Sequence, residues 1–202
     1  MRGTEDTGLA APPQDEQRRL WIEAFRHARH DWLNDLQMIL GYAQLGKYDK
    51  LKACVEILKQ KLTEESRLAK IGSDRLAELL LTVRARPKNY SFILRIDENF
   101  AMPDEAAEQA AAAAVDRMLS AFDAAARLGP AGSANELVCT FAAQGGAAPS
   151  ISFSYTGAYA EDTLRLAVRE LRTSLSLMAP GCVLAECCRE GSAVVVLHLP
   201  AA

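Results

Sequence analysis

Only three of the 202 residues are histidine, and that scarcity excludes most metal chemistry. A metal centre needs several His, Cys, Asp or Glu ligands at short spacings. His27, His30 and His198 do not supply such a set, so no metal site is expected in this chain. Cysteine is present as five residues (Cys54, Cys139, Cys182, Cys187 and Cys188), an odd number without any Cys-x-x-Cys spacing. That pattern argues against a disulfide framework and reads as small apolar filler on strands. No basic excess exists: the net charge is -3, which gives no reason to expect nucleic acid. No stretch approaches the ~18 consecutive apolar residues needed to span a bilayer. The amino terminus has acids where a secretion signal needs positive charge, and it has no apolar core segment. A cytoplasmic protein is therefore the expectation, with no membrane partner. No internal repeat occurs at the usual periods.

What is there is apolar periodicity. Half of the residues are hydrophobic, enough for a packed core. Residues 1–14 are polar, contain Gly and Pro, and read as a disordered tail. From Gln17 to about Leu45, apolar side chains fall at Trp21, Phe25, Ala28, Trp32, Leu36, Ile39 and Ala43, which is one face of a long helix. Gly46 and Lys47 break it. A second helix, capped by Asp49 and running to about Ile71, carries Leu51, Val55, Leu58 and Leu62 on one face. Two such helices with a short connection form an antiparallel hairpin. One hairpin buries two apolar stripes poorly, and a second copy completes a four-helix bundle, so a homodimer is expected. The lysines of the second helix (Lys47, Lys50, Lys52, Lys59 and Lys61) read as a solvated face.

Residues 73–202 read as a second domain. Ser73 or Asp74 caps a third helix to about Ala85, and Pro87 marks a boundary. Strand-like segments follow at Tyr90–Ile96, Glu136–Ala142, Ser150–Tyr155, Cys182–Cys187 and Ala193–Leu199. A Gly145–Gly146 turn joins the second and third of them. Helices are expected over Asp104–Leu128, which is rich in alanine, and over Glu161–Met178. The fold class is thus α+β: a helical hairpin over residues 15–72, then an α/β domain.

On a helical wheel, Glu23, Arg26, His27, His30, Asn34 and Gln37 lie opposite the apolar stripe. An exposed imidazole titrates close to neutrality and forms covalent intermediates, so it is a plausible phosphoryl acceptor. Arg26, Arg29 or Asn34 can steady phosphate oxygens, and Asp31 can hold the ring tautomer or help move its proton. His27 shares the face and competes with His30. A surface histidine on a polar helix face more often has no special role.

The stretch Ala28-Arg29-His30-Asp31-Trp32-Leu33-Asn34-Asp35-Leu36-Gln37 resembles the phospho-accepting helix of the sporulation initiation phosphotransferase B family. It also resembles the dimerisation helices of citrate- and fumarate-type sensor kinases. The shared signature is Arg-His-Asp, an aromatic, any residue, Asn, any residue, Leu-Gln. Arg29, His30, Asp31, Trp32, Asn34, Leu36 and Gln37 meet it. The Gly46-Lys47-Tyr48-Asp49 turn, the second helix and the break after Lys70-Ile71-Gly72 are similar too. The resemblance is specific over roughly residues 20–80 and diffuse beyond. It implies that His30, rather than His27, takes the phosphoryl group, with Asp31 and Asn34 beside it. It implies Arg26, Arg29 and Gln37 as contacts to the phosphoryl group or to a partner.

The carboxy-terminal half is similar in order to a histidine-kinase ATP-binding domain, yet lacks its parts. Arg117 and Ala121 stand where magnesium-holding asparagines are expected, and Tyr155-Thr156-Gly157 stands where an aspartate is expected. No Asp-x-Gly-x-Gly occurs, and no glycine cluster precedes the final hairpin. A degenerate kinase-like domain without its own ATP site follows. The expectation is a phosphorelay phosphotransferase between two response regulators in sporulation initiation. No cofactor is expected on this chain, and Mg²⁺ comes from the regulators' acidic pockets. The rival readings are an autophosphorylating histidine kinase and a non-catalytic dimeric module that binds a regulator.

Overall fold

The computed structural model describes residues 14–85, 88–130, 133–143 and 148–200. The expected tail, the boundary at Pro87 and the Gly145–Gly146 turn lie outside these, apart from Gln14. Two helices open the chain, α1 (Gln14–Gln44) and α2 (Tyr48–Leu68). Gly46, at φ +64°, closes α1. Its N–H reaches the carbonyl of Ala43, and that of Lys47 reaches Tyr42. This pair of bonds is the glycine-dependent helix stop in which the last carbonyls find partners. The connection is therefore short, and α2 returns antiparallel along α1.

Two sequence expectations for α2 are corrected. Asp49 is not its cap. Lys47 occupies that position without a side-chain bond, and Asp49 sits in the first turn, where a carboxylate suits the helix dipole. The helix also ends at Leu68 rather than Ile71. The next N–H groups bond three residues back, from Lys70 to Arg67 and from Ile71 to Leu68. This tighter winding delivers Ile71 into the core of the α/β domain, where it is buried.

Helix α3 (Asp74–Ala85) begins at a side-chain cap. Ser73 Oγ accepts the N–H of Leu76 at 3.0 Å and donates to Glu108. Beyond it come β1 (Ser91–Ile96), α4 (Glu105–Arg127), β2 (Glu136–Ala142), β3 (Ser150–Thr156), α5 (Glu161–Met178), β4 (Val183–Arg189) and β5 (Ser192–His198). The five strands form one sheet in the order β1-β2-β3-β5-β4. Strand β1 runs parallel to β2, and the other pairings are antiparallel. Leu137, Cys139 and Phe141 alternate into the core, as do Ala193, Val195 and Leu197. Helices α4 and α5 pack on each other and against the sheet. The buried alanines of α4 let that helix approach closely. Phe122 stacks on Tyr155 with ring centroids 5.3 Å apart. The cysteine expectation holds for Cys139, which is buried on β2. It fails for Cys54, buried on a helix, and for Cys187, exposed on β4.

Hairpin and α/β domain are joined directly. Helix α3 touches both α1 and α4. Near the end of α2, Arg67 donates to the carbonyl of Ile96 at 3.1 Å and faces Glu98 at 3.8 Å.

After β3 the chain passes through Gly157 at φ +132°. A Cβ there would meet Asn135 Oδ1 at 2.3 Å. That oxygen is already held, since it accepts the N–H of Ala158 at 3.0 Å, while the Asn135 amide donates to Asn89. Gly157→Ala therefore meets both an unfavourable backbone conformation and a fixed polar neighbour. A loss of about 2 kcal/mol or more is expected, read as a lowered urea midpoint at unchanged slope. An unchanged midpoint would mean that the Asn135 staple yields without cost.

Candidate functional site: the outward face of the first helix

His30 lies on α1 with its side chain 72% exposed, and neighbouring Asp31 is 73% exposed. The Asn34 amide nitrogen lies 3.1 Å from His30 Nδ1. One helical turn separates the two residues, so the contact follows from the backbone alone. Asp31 Oδ1 is 3.8 Å from the same nitrogen, too far for a hydrogen bond. Both groups therefore crowd Nδ1, and Nε2 has no hydrogen-bond partner among the described residues. An asparagine amide presents a donor at one end and an acceptor at the other. With its N–H toward Nδ1, the ring proton sits on Nε2. With the amide turned over, Oδ1 accepts Nδ1–H and the free lone pair is on Nε2.

Arg26, Arg29 and Gln37 are exposed on the same helix. Arg26 stands one turn before His30 and Gln37 two turns after it, while Arg29 sits about 100° round the axis. Neither arginine has an ion-pair partner among the described residues. All six predicted site residues thus lie on α1, and among them a side-chain hydrogen bond joins His30 and Asn34. The side chains of Trp21 and His27 lie outside the described residues. Among the described residues, no cluster of three His, Cys, Asp or Glu groups is placed to hold a metal ion.

Opposite this face, one residue departs from expectation. Asp35 is only 6% exposed, and both of its carboxylate oxygens accept from Lys61 Nζ of α2, at 3.1 and 3.0 Å. Lys61 remains exposed with the other lysines of α2, but its ammonium is tied to this carboxylate. Wheel reading missed the pair because Asp35 lies at the edge of the apolar stripe. The available signal was that Asp35 and Lys61 carry opposite charges in the middle of facing helices.

Apolar residues of the expected stripe are partly uncovered in the single chain. Trp32 is 42% and Leu36 57% exposed, and Phe25, Val55 and Leu62 are exposed as well.

In the α/β domain, the residues singled out in the sequence at the expected nucleotide positions make internal contacts. Arg117 of α4 pairs with Glu170 of α5, and Ala121 is buried. Beyond Thr156, Tyr155 OH donates to the Ala158 carbonyl, and Tyr159 OH donates to the carbonyls of Arg189 and Ser192. Burial, with Cys188 and Glu161 adding to it, pushes the Tyr159 phenol up to about 12. It therefore acts as a neutral donor.

Residues 14–71 match the family described as sensor kinase SpoOB-type, alpha-helical domain. Sporulation initiation phosphotransferase B of Bacillus subtilis (strain 168) is 38% identical over 61 residues, which cover 30% of this chain and 32% of that protein. Solved structures resemble the chain more distantly. The catalytic domain of histidine kinase ThkA is 12% identical, with a TM-score of 0.46, over 67% of this chain and 90% of that one. The histidine kinase domain of the Erythrobacter litoralis EL346 blue-light activated histidine kinase is 17% identical, with a TM-score of 0.41, over 93% of each chain.

Asn34→Ala removes the group that touches His30 Nδ1. The neutral ring should then redistribute its proton between the two nitrogens, read from their ¹⁵N shifts in the labelled protein. Identical populations in both proteins would show that the amide does not hold the ring.

Proposed function

We propose that this protein is a phosphorelay phosphotransferase in which His30 receives a phosphoryl group from the aspartyl-phosphate of one response regulator and passes it to an aspartate of another. The observation that carries the reading is the His30–Asn34 contact on the outward face of a SpoOB-type hairpin. With Nδ1–H held by the turned Asn34 amide, the Nε2 lone pair attacks phosphorus. A P–N bond forms as the P–O bond to the regulator's aspartate breaks, and the carboxylate leaves. The second step reverses this pattern with a new carboxylate as nucleophile. Such transfers depend mainly on positioning and charge neutralisation. Arg26 and Arg29 are placed to meet phosphate oxygens, and Asp31 supports the imidazolium character that develops at His30. Gln37 lies two turns along and contacts the regulator. The Mg²⁺ is assigned to the regulator, since among the described residues no cluster of three His, Cys, Asp or Glu groups is placed to hold a metal ion, and no step here runs through it. Similarity to sporulation initiation phosphotransferase B supports a relay role, with sporulation entry as the process and the cytoplasm as the place. No helix is long and apolar enough to cross a membrane among the described residues.

The α/β domain works without ATP in this reading, which the lack of any Asp-x-Gly-x-Gly turn in the sequence supports. Label should therefore appear on the protein when a phosphorylated regulator is mixed with it, not from ATP alone, and His30→Ala should abolish it. Label from ATP alone would establish a kinase. A wild-type protein that binds the phosphorylated regulator without taking label would be an interaction module.

The working unit is a homodimer whose second copy covers Phe25, Trp32, Leu36, Val55 and Leu62 in a four-helix bundle. Light scattering should give twice the 22.0 kDa chain mass. Leu36→Asp should give a monomer, because it places a charge in the bundle core. A wild-type monomer at micromolar concentration would end this part of the reading.

A further inference from the structure

The apolar surface of α1 is wider than its contact with α2. Successive residues of a helix are about 100° apart. Taking Asp35 as the direction of α2, Ile39, Trp32, Phe25, Leu36 and Leu40 follow at about 40°, 60°, 80°, 100° and 140°. Any sector of this surface can pack against another helix, since apolar contact is not directional. Burial alone therefore does not choose which sector of α1 faces α2.

The Asp35–Lys61 pair does choose. Ala28 and Tyr42 lie one heptad on either side of Asp35, as Leu68 and Cys54 do on either side of Lys61. In an antiparallel hairpin this sets Ala28 level with Leu68, Asp35 with Lys61, and Tyr42 with Cys54. The centre of the seam is thus the ion pair, flanked by an apolar layer at each end. Any rotation of α1 that turned Trp32 or Leu36 toward α2 would strip Lys61 from a carboxylate that has little water to replace it. The connection of Leu45, Gly46 and Lys47 limits axial slip but leaves rotation open. Rotation is the coordinate that matters to His30, which lies about 140° from Asp35 on the same rigid helix.

We propose that Asp35 and Lys61 are positioning residues that set the rotation of the phospho-accepting helix, so that His30 and Asn34 face outward toward a docked partner. The proposal rests on the function above for its effect on transfer, but the rotational setting itself can be read without any activity. A single polar pair with one buried partner suits this task, because it specifies geometry while contributing little net stability.

The test replaces both partners by apolar residues of similar size, in Asp35→Leu/Lys61→Met. That protein should remain folded and keep its melting temperature or gain. Its methyl NOEs between α1 and α2, from Ile, Leu and Val labels, should be displaced or doubled. Its transfer rate from a phosphorylated regulator should fall tenfold or more, mainly in kcat. The charge-reversed pair, Asp35→Lys/Lys61→Asp, should restore a single NOE set and bring transfer within threefold of wild type. A Leu/Met protein with the wild-type NOE pattern would overturn the proposal, whatever its activity. So would displaced NOEs with transfer unchanged. If the wild-type protein itself transfers nothing, the proposed function fails, and the NOE pattern alone decides the role of the pair.

Discussion

The first helix carries more apolar surface than one neighbouring helix can cover, and the structure follows from how that excess is shared. Part of it meets α2, part meets α3, and part stays open around Trp32 and Leu36. A surface of this kind is worth roughly 25 cal/mol for each square ångström removed from water, but it does not say against what. Direction has to come from polar groups. On α1 these are Asp35, turned inward to Lys61, and the row of His30 and Asn34, turned outward. The inward pair and the outward site occupy one rigid element, so fixing one fixes the other.

Much of this was legible in the sequence because periodicity reports burial. The boundaries of β2 and α5 agree with the structure, since Glu136–Ala142 alternates and Leu164, Val168, Leu171 and Leu175 repeat on one face. The outward face of α1 was legible for the same reason. What was missed depends on contacts between distant residues. Lys61 looks like any helix-surface lysine until the partner across the hairpin is known. The end of α2 at Leu68 is set by the pull of Ile71 into the sheet domain, a tertiary demand that the local pattern of Glu65 to Ile71 does not show. The tightening around Gly157 depends on Asn135, more than twenty residues earlier, and no local motif announces it.

The interior of the α/β domain is closely packed, as protein interiors are. Its aromatic groups are internally satisfied. Tyr155 stacks on Phe122 and donates to the loop at Ala158, while Tyr159 bonds the carbonyls of Arg189 and Ser192. These are contacts of a structural unit. Toward the hairpin, Arg67 bonds the Ile96 carbonyl and Ser73 bonds Glu108, which hold the end of α2 and the start of α3, and α3 packs on α1.

The candidate site itself is sparse. His30 has one partner at hydrogen-bond distance, and most of its ring faces solvent. Enzymes that complete their chemistry alone surround the reacting group with fixed donors in a water-excluded pocket. An exposed histidine on a bare helix cannot do that, so any water exclusion, metal ion and oxyanion donors must arrive with whatever docks. What this chain can contribute is placement, and a helix places a side chain more precisely than a loop does. A site of this kind puts its selective pressure on the orientation of α1 rather than on local catalytic groups. On the proposal above, the contact that sets this orientation lies across the helix from His30, at Asp35 and Lys61.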